Sequence, residues 1–264
     1  MIDLKSAARQ ARPLTKQIEF PALQTTKTQS DELARVYLQV VRLWRDSAAR
    51  IVAEYDPPNP NVLRDTQEGI EAEIAATQAA ANTVIVSLSV DIDSWINRLA
   101  RWHTRRWTDT VRTKTGVTID QFLSSRTVAA ELKASLRWNV SLIRNVSDQV
   151  RDRIANIVWA GWREGTPRRE IAKRINEAIG LGRKRSLLIA IDQTVKLSAD
   201  LDRARMLEAG IEDWAWKHSG KTHFRPVHKA RDGKEYNWIT NRPDDVPGQL
   251  PYCGCKARAI LKLD

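Results

Sequence analysis

The strongest constraint on the fold is a set of apolar runs at helical spacing, each longer than the elements of an ordinary small domain. Leu33, Val36, Tyr37, Val40, Val41, Trp44, Ala48, Ile51, Val52 and Tyr55 recur at intervals of three and four, which puts them on one face of an amphipathic helix. Thr28 and Asp31 suit a capping box at its start. Asp56-Pro57-Pro58-Asn59-Pro60 ends it, because proline lacks a backbone donor and disfavours helical geometry in the residue before it. A second run carries Ile70, Ile74, Ala81, Ile85, Leu88, Ile92, Trp95, Leu99 and Trp102. Its early residues include Asp65, Glu68, Glu71 and Glu73 and its late ones Arg98, Arg101, Arg105 and Arg106, a polarity that complements the helix dipole. The pattern predicts one helix, or a broken pair, as far as Gly116, with Val84 to Val90 as the weak place because β-branched residues crowd there. A third run, Val128, Leu132, Leu136, Val140, Ile143, Val150, Ile154, Ile157 and Val158, predicts a helix that stops between Gly161 and Gly165.

The flanks differ in character. Residues 1–27 are polar and basic, with Pro13 and Pro21 and no sustained period, and read as an extended basic arm. Residues 28–164 then form a helical body. Thr166-Pro167 starts a further helix, with threonine as cap and proline at the first helical position. Ile171, Ile175 and Ile179 line its face and Gly180 is expected to end it. Arg185 to Ala209 reads as the last helix, closed by Gly210. From 210 to 264 the chain changes to short aromatic pieces, turns and prolines, the pattern of a small β-rich part. The fold class is therefore α+β and mainly α: a long-helix N-terminal body joined to a small α+β C-terminal domain, 165–264, whose helices occupy 166–209.

Lysine and arginine number 43 against 32 aspartate and glutamate, a formal charge of +11. That balance favours polyanionic partners, double-stranded DNA first among them. Two cysteines, Cys253 and Cys255, exclude a disulfide framework. The first residues lack the apolar core of a signal peptide, about 7 to 15 residues long, and no stretch predicts a membrane span.

Order and spacing in the last hundred residues carry a resemblance. Ala190-Ile191-Asp192-Gln193-Thr194 is followed by Ala209-Gly210-Ile211, by Trp214 and Trp216, by Arg225-Pro226-Val227-His228, by Asp232-Gly233, by Pro247-Gly248-Gln249 and by Cys253-Gly254-Cys255. The stretch from Gly165 to Ala259 resembles the domain of the phage Mu F-like head morphogenesis proteins. Ile191, Lys221 and His223 depart from that family's usual arginine, aspartate and arginine. The resemblance implies a minor capsid protein of a tailed bacteriophage, a non-enzymatic component that acts in procapsid assembly at or near the portal vertex. Portal protein and/or major capsid protein would be its partners, with packaged DNA as a further contact and neither membrane nor small-molecule substrate. It would be assembled in the host cytoplasm and reside in the virion, in the head interior or at the portal vertex. Two other readings are a non-specific DNA-binding protein for packaging or ejection, and a toxin-like effector carrying a family-like domain.

Three groups of residues are candidates for chemistry or contact. Arg225, His228, Asp232 and Gly233, with Asn237, suit a structural polar cluster that fixes a small domain with a thin core. His218, His223, His228, Cys253 and Cys255 offer imidazoles and thiolates for a tetrahedral zinc site. The polar network is the preferred reading of this segment, with no cofactor expected and zinc as its alternative. Arg98, Arg101, Arg105 and Arg106, interleaved with Trp95, Trp102 and Trp107, and Arg183, Lys184 and Arg185 are candidate DNA or partner contacts. Trp95 and Trp102 are expected to face the core.

Overall fold

The computed structural model describes residues 4–12, 14–56, 66–119, 123 and 126–263. The proline turn at 57–60, Pro13 and Asp65 lie outside the described residues. Among those described, six helices and four strands follow one another as α1 (Leu4–Ala11), β1 (Gln17–Glu19), α2 (Lys27–Glu54), α3 (Thr66–Thr115), α4 (Ala129–Glu164), α5 (Arg168–Glu208), β2 (Asp213–Lys217), α6 (Pro226–Ala230), β3 (Glu235–Asn237) and β4 (Lys256–Lys262). The mainly helical α+β class read from the sequence is what the chain adopts. No helix among the described residues is long and apolar enough to cross a membrane.

Contacts divide the chain into two units that interrupt each other in sequence. One comprises residues 30–94 and 136–190, the other residues 1–29, 95–135 and 191–264. Helices α2, α3, α4 and α5 thus contribute residues to both.

The first unit is all helical. Its core is the apolar face that periodicity picks out: Leu33, Tyr37, Val40, Trp44 and Ile51 of α2, Ile70, Ile85 and Ile92 of α3, Ile143, Val150, Ile154 and Val158 of α4, and Ile171 and Ile175 of α5, all buried. Polar tips on this face are satisfied across helices. The Tyr37 hydroxyl donates to Asn139 Oδ1 at 2.7 Å, the Trp44 indole to Ser147 Oγ at 3.0 Å and the Tyr55 hydroxyl to the Thr166 carbonyl at 2.7 Å. Each bond removes the penalty of a buried unpaired group and fixes helix register at a point where apolar contact alone would tolerate sliding.

Two expectations are corrected here, at the start of α2 and within α5, and the alternative left open for the second run falls to a single helix. The capping box of α2 is formed by Thr26 and Gln29, not by Thr28 and Asp31: Thr26 Oγ1 accepts from Gln29 N–H while Gln29 Oε1 accepts from Thr26 N–H. Helix α3 runs unbroken through Val84–Val90, where Ser87 and Ser89 return their hydroxyls to carbonyls three residues back. Helix α5 runs unbroken through Gly180 and Gly182 instead of ending at 180. A glycine inside a helix costs only about 1 kcal/mol against alanine, which the buried Ile171, Ile175, Ile179 and Ile189 outweigh. Gly182 is needed for closeness, since a Cβ there would stand 2.5 Å from Val150 Cγ2.

The second unit holds the sheet, whose order is β1-β4-β2-β3 with every neighbouring pair antiparallel. The longest pairing aligns Asp213 to Lys217 with Ile260 to Lys256. The extended arm expected over 1–27 is corrected: it contains α1 and β1, and Leu4, Ala8, Ile18, Phe20 and Leu23 are buried. They join Trp107 and Val111 of α3 and Trp214, Trp216 and Trp238 in one cluster with the sheet. Eight helical residues and three strand residues are too few to display a period, which is why the arm reads as irregular. Trp95 and Trp107 are buried and Trp102 is half-buried, its ring meeting His103 edge-on.

The glycines of α5 give a paired test. Gly180→Ala, with nothing within 4 Å of its new Cβ, should raise the free energy of unfolding by about 0.5 to 1 kcal/mol. Gly182→Ala should lower it by about 1 to 2 kcal/mol, because Val150 must move. Urea unfolding followed by far-UV circular dichroism measures both.

Candidate functional site

The chemistry-bearing residues of the second unit converge where β4 enters the sheet. Trp214 is wholly buried and stacks on Tyr236 at 4.9 Å and Trp238 at 4.6 Å. Trp216, two residues on and on the same side of β2, meets the His228 ring edge-on at 4.9 Å. His228 sits on α6, whose first residue is Pro226, the residue pre-set for a helix start. Its ring is 2% exposed, so both nitrogens need partners from the protein.

Each nitrogen has one. Nε2 lies 2.7 Å from Asp245 Oδ2, and Arg231 pairs with the other oxygen of the same carboxylate. Partial burial pulls the Asp245 carboxyl up, but Arg231 and His228 hold it below the usual carboxylate range. On the opposite side of the ring, Nδ1 lies 3.4 Å from Cys253 Sγ and 3.8 Å from Cys255 Sγ. Both cysteines are free and buried. The Cys255 side chain together with backbone donors of Cys255 and Gly248 pushes the Cys253 thiol down, whereas Cys253 and burial push Cys255 up. One thiolate is therefore favoured over two when protons alone balance the pair.

Backbone geometry presents the two sulfurs. Tyr252 has φ 58°, a left-handed conformation that costs a bulky residue about 1 kcal/mol or more. Asp192 of α5 holds it there: Asp192 Oδ1 accepts from Tyr252 N–H, and Lys196 Nζ lies 2.6 Å from the other oxygen. Gly254 lies so close to Ser219 and Lys221 that a Cβ would fall within 3.0 Å of both. The Lys221 ammonium donates to the Tyr252 carbonyl at 3.1 Å.

The sequence candidates separate in space. His228, Cys253 and Cys255 come together, their donor atoms all within 4.8 Å of one another. His218 and His223 line the same small pocket without joining that group. Arg225, His228, Asp232 and Gly233 do not form one network. Arg225 donates to the Pro251 carbonyl, Asp232 accepts from His218 N–H, Gly233 turns the chain at φ 79°, and Asn237 binds Asp213 and the turn after it. Asp245 and Arg231, the actual partners around His228, carry no sequence signal beyond an acidic pair before Pro247. Arg98, Arg101, Arg105 and Arg106 lie exposed on the second-unit part of α3. Arg183 and Lys184 are exposed in the first unit, where Arg185 is half-buried and donates to Asn145 Oδ1 at 3.0 Å.

A second polar group lies deeper. His103 Nε2 is 2.9 Å from Asp202 Oδ1, both side chains buried, and the buried Lys256 ammonium donates to Ser198 Oγ at 3.1 Å. Burial holds the lysine pKa below its ordinary value, while Asp202 and Cys253 pull it back up.

The segment that builds this site, from α4 through β4, is the part of the chain that matches a known family. Residues 148–258 match the family described as Phage Mu protein F like protein. An uncharacterized protein of Haemophilus influenzae is 29% identical over 153 residues, 57% of this chain. The match spans about a third of that protein's length, 34%. No solved structure matches the chain. Within the matched stretch, the Asp192 of Ala-Ile-Asp-Gln-Thr and the Cys-x-Cys turn are joined by the Asp192–Tyr252 bond.

Asp192→Ala should therefore loosen the turn before Cys253 while leaving the first unit intact. A lost charge-assisted bond over a left-handed residue is worth about 1 to 3 kcal/mol, so amide exchange at Tyr252 should speed up about ten-fold or more. Hydrogen exchange by NMR reads this directly.

Proposed function

We propose that this chain is a minor capsid protein of a tailed bacteriophage, built into the head during procapsid assembly at or near the portal vertex through contact with portal protein and/or major capsid protein. The supporting observation is the Mu F-like domain over 148–258, together with the use its polar residues find. Asp192, Arg225 and Asp232 bind the backbone at Tyr252, Pro251 and His218, so they set the shape of a surface. An enzyme needs a nucleophile and base open to substrate, whereas Cys253 and Cys255 are 4% and 2% exposed. A structural role in the virion follows from this reading.

DNA is the second partner in this proposal. The formal charge is +11, and Arg101, Arg105 and Arg106 are exposed along one stretch of α3. Such contacts bind phosphates and position a duplex without reading its bases.

Two experiments test these statements. Mass spectrometry of purified procapsids and virions, with copies counted against portal protein, should find the chain as a stoichiometric minor component; absence from both particles would end the assignment. Binding to double-stranded DNA should weaken about ten-fold or more between roughly 50 and 200 mM salt, without sequence preference. Replacing Arg101, Arg105 and Arg106 with glutamine should flatten that salt dependence. Tight binding at high salt would contradict phosphate contact as its basis.

A further inference from the structure

We propose that His228 Nδ1, Cys253 Sγ and Cys255 Sγ hold a zinc ion that locks the sheet, α6 and the Cys-x-Cys turn into one arrangement. A tetrahedral zinc with Zn–S near 2.3 Å and Zn–N near 2.05 Å sets its sulfur and nitrogen ligands about 3.6 Å apart. The two sulfurs stand 3.4 Å and 3.8 Å from the one imidazole nitrogen, on either side of that value. Three donor atoms of two elements meet at the spacing of a coordination shell around a common centre.

The surroundings fit the same ion. A zinc-bound imidazole usually gives its second nitrogen to a carboxylate, which fixes the tautomer and strengthens the ligand. His228 Nε2 lies 2.7 Å from Asp245 Oδ2, and Arg231 anchors that carboxylate. Nδ1 is then the unprotonated nitrogen and faces the thiols. Two thiolates and an imidazole are a soft set, selective for zinc over magnesium or calcium. Their two negative charges cancel the charge of the ion, with Lys221 close to the turn.

The fourth vertex belongs to water. The adjoining pocket has a volume of about 20 Å³, room for about one water molecule. His218 and His223 line it, but His218 Nδ1 accepts from Gly220 N–H, which leaves the proton on Nε2 and makes that atom a donor.

A Cys253–His228–Asp245 nucleophile would use two of the same side chains, Cys253 and His228. It leaves Cys255 without a role, and it buries the attacking sulfur, where a substrate cannot reach it. Zinc accounts for both sulfurs on one nitrogen.

The test uses the full chain, purified under reducing conditions and reconstituted with zinc sulfate. Elemental analysis should give one zinc per chain. Cobalt(II) in its place should show thiolate-to-metal charge transfer and ligand-field bands of tetrahedral intensity. Cys253→Ser, Cys255→Ser and His228→Ala should each weaken zinc binding by more than a hundred-fold in competition with a chromogenic chelator. Asp245→Asn should weaken it about 10- to 100-fold, and His218→Ala should leave it within a few-fold. The wild-type measurements stand even where a variant fails to fold. Folded wild-type protein that takes up no stoichiometric zinc would overturn the proposal, as would zinc retained by the double cysteine variant. Rapid alkylation of Cys253 alone by iodoacetamide, unaffected by added zinc, would overturn it in favour of the nucleophile.

Discussion

The second unit depends on solving a shortage of apolar surface. Strands of three to seven residues and a five-residue helix cannot enclose a core by themselves. The deficit is met from three directions: Leu4, Ala8, Ile18 and Phe20 from the amino-terminal segment, Trp107 and Val111 from α3, and Met206 and Ala209 from the end of α5. Tryptophans supply much of the rest, since each large ring removes more area from water than any aliphatic side chain. Trp214 between Tyr236 and Trp238 is the centre of that arrangement, and Trp216 extends it to the ring of His228.

How much of this the sequence reveals follows from length and distance. Helices of 28 to 50 residues repeat their apolar face many times, so α2, α3 and α4 are legible from spacing alone. Helix α1 and strand β1 are too short to repeat anything, and burial of Ile18 and Phe20 is decided by partners far away in sequence, such as Trp107 and Trp214. Gly180 and Gly182 look like a stop because local propensity is read without the packing that overrides it. At the site, the cysteines and His228 are visible as residue types. Their partner Asp245 is not, because a bond between residues 17 apart, with β3 between them, leaves no pattern.

The buried polar groups follow one logic. Asp192 on Tyr252, Asp245 on His228, and Asp202 on His103 each place an acidic oxygen against a nitrogen, and the two histidines are buried away from water. Each bond selects one arrangement of the surrounding backbone among several that apolar contact would accept. Lys256 extends the series at the first residue of β4, its ammonium on Ser198 and within the field of Asp202. Such selectivity comes from directional polar bonds and not from added apolar area.

The strand order carries a consequence for biogenesis. β4 lies between β1 and β2, so the strand synthesised last is inserted into the interior of the sheet. Gln17 pairs with Lys262, partners separated by nearly the whole described chain. On the ribosome, α1 and β1 emerge before the four long helices and must wait through their translation before their neighbour exists. At about 5 to 20 residues per second that interval lasts on the order of ten seconds or more. During it, Ile18 and Phe20 have no sheet to cover them, and the tryptophans of β2 join them only towards its end, so nascent chains are exposed to holding chaperones for that time. The all-helical unit, built from nearer contacts, is free to fold first.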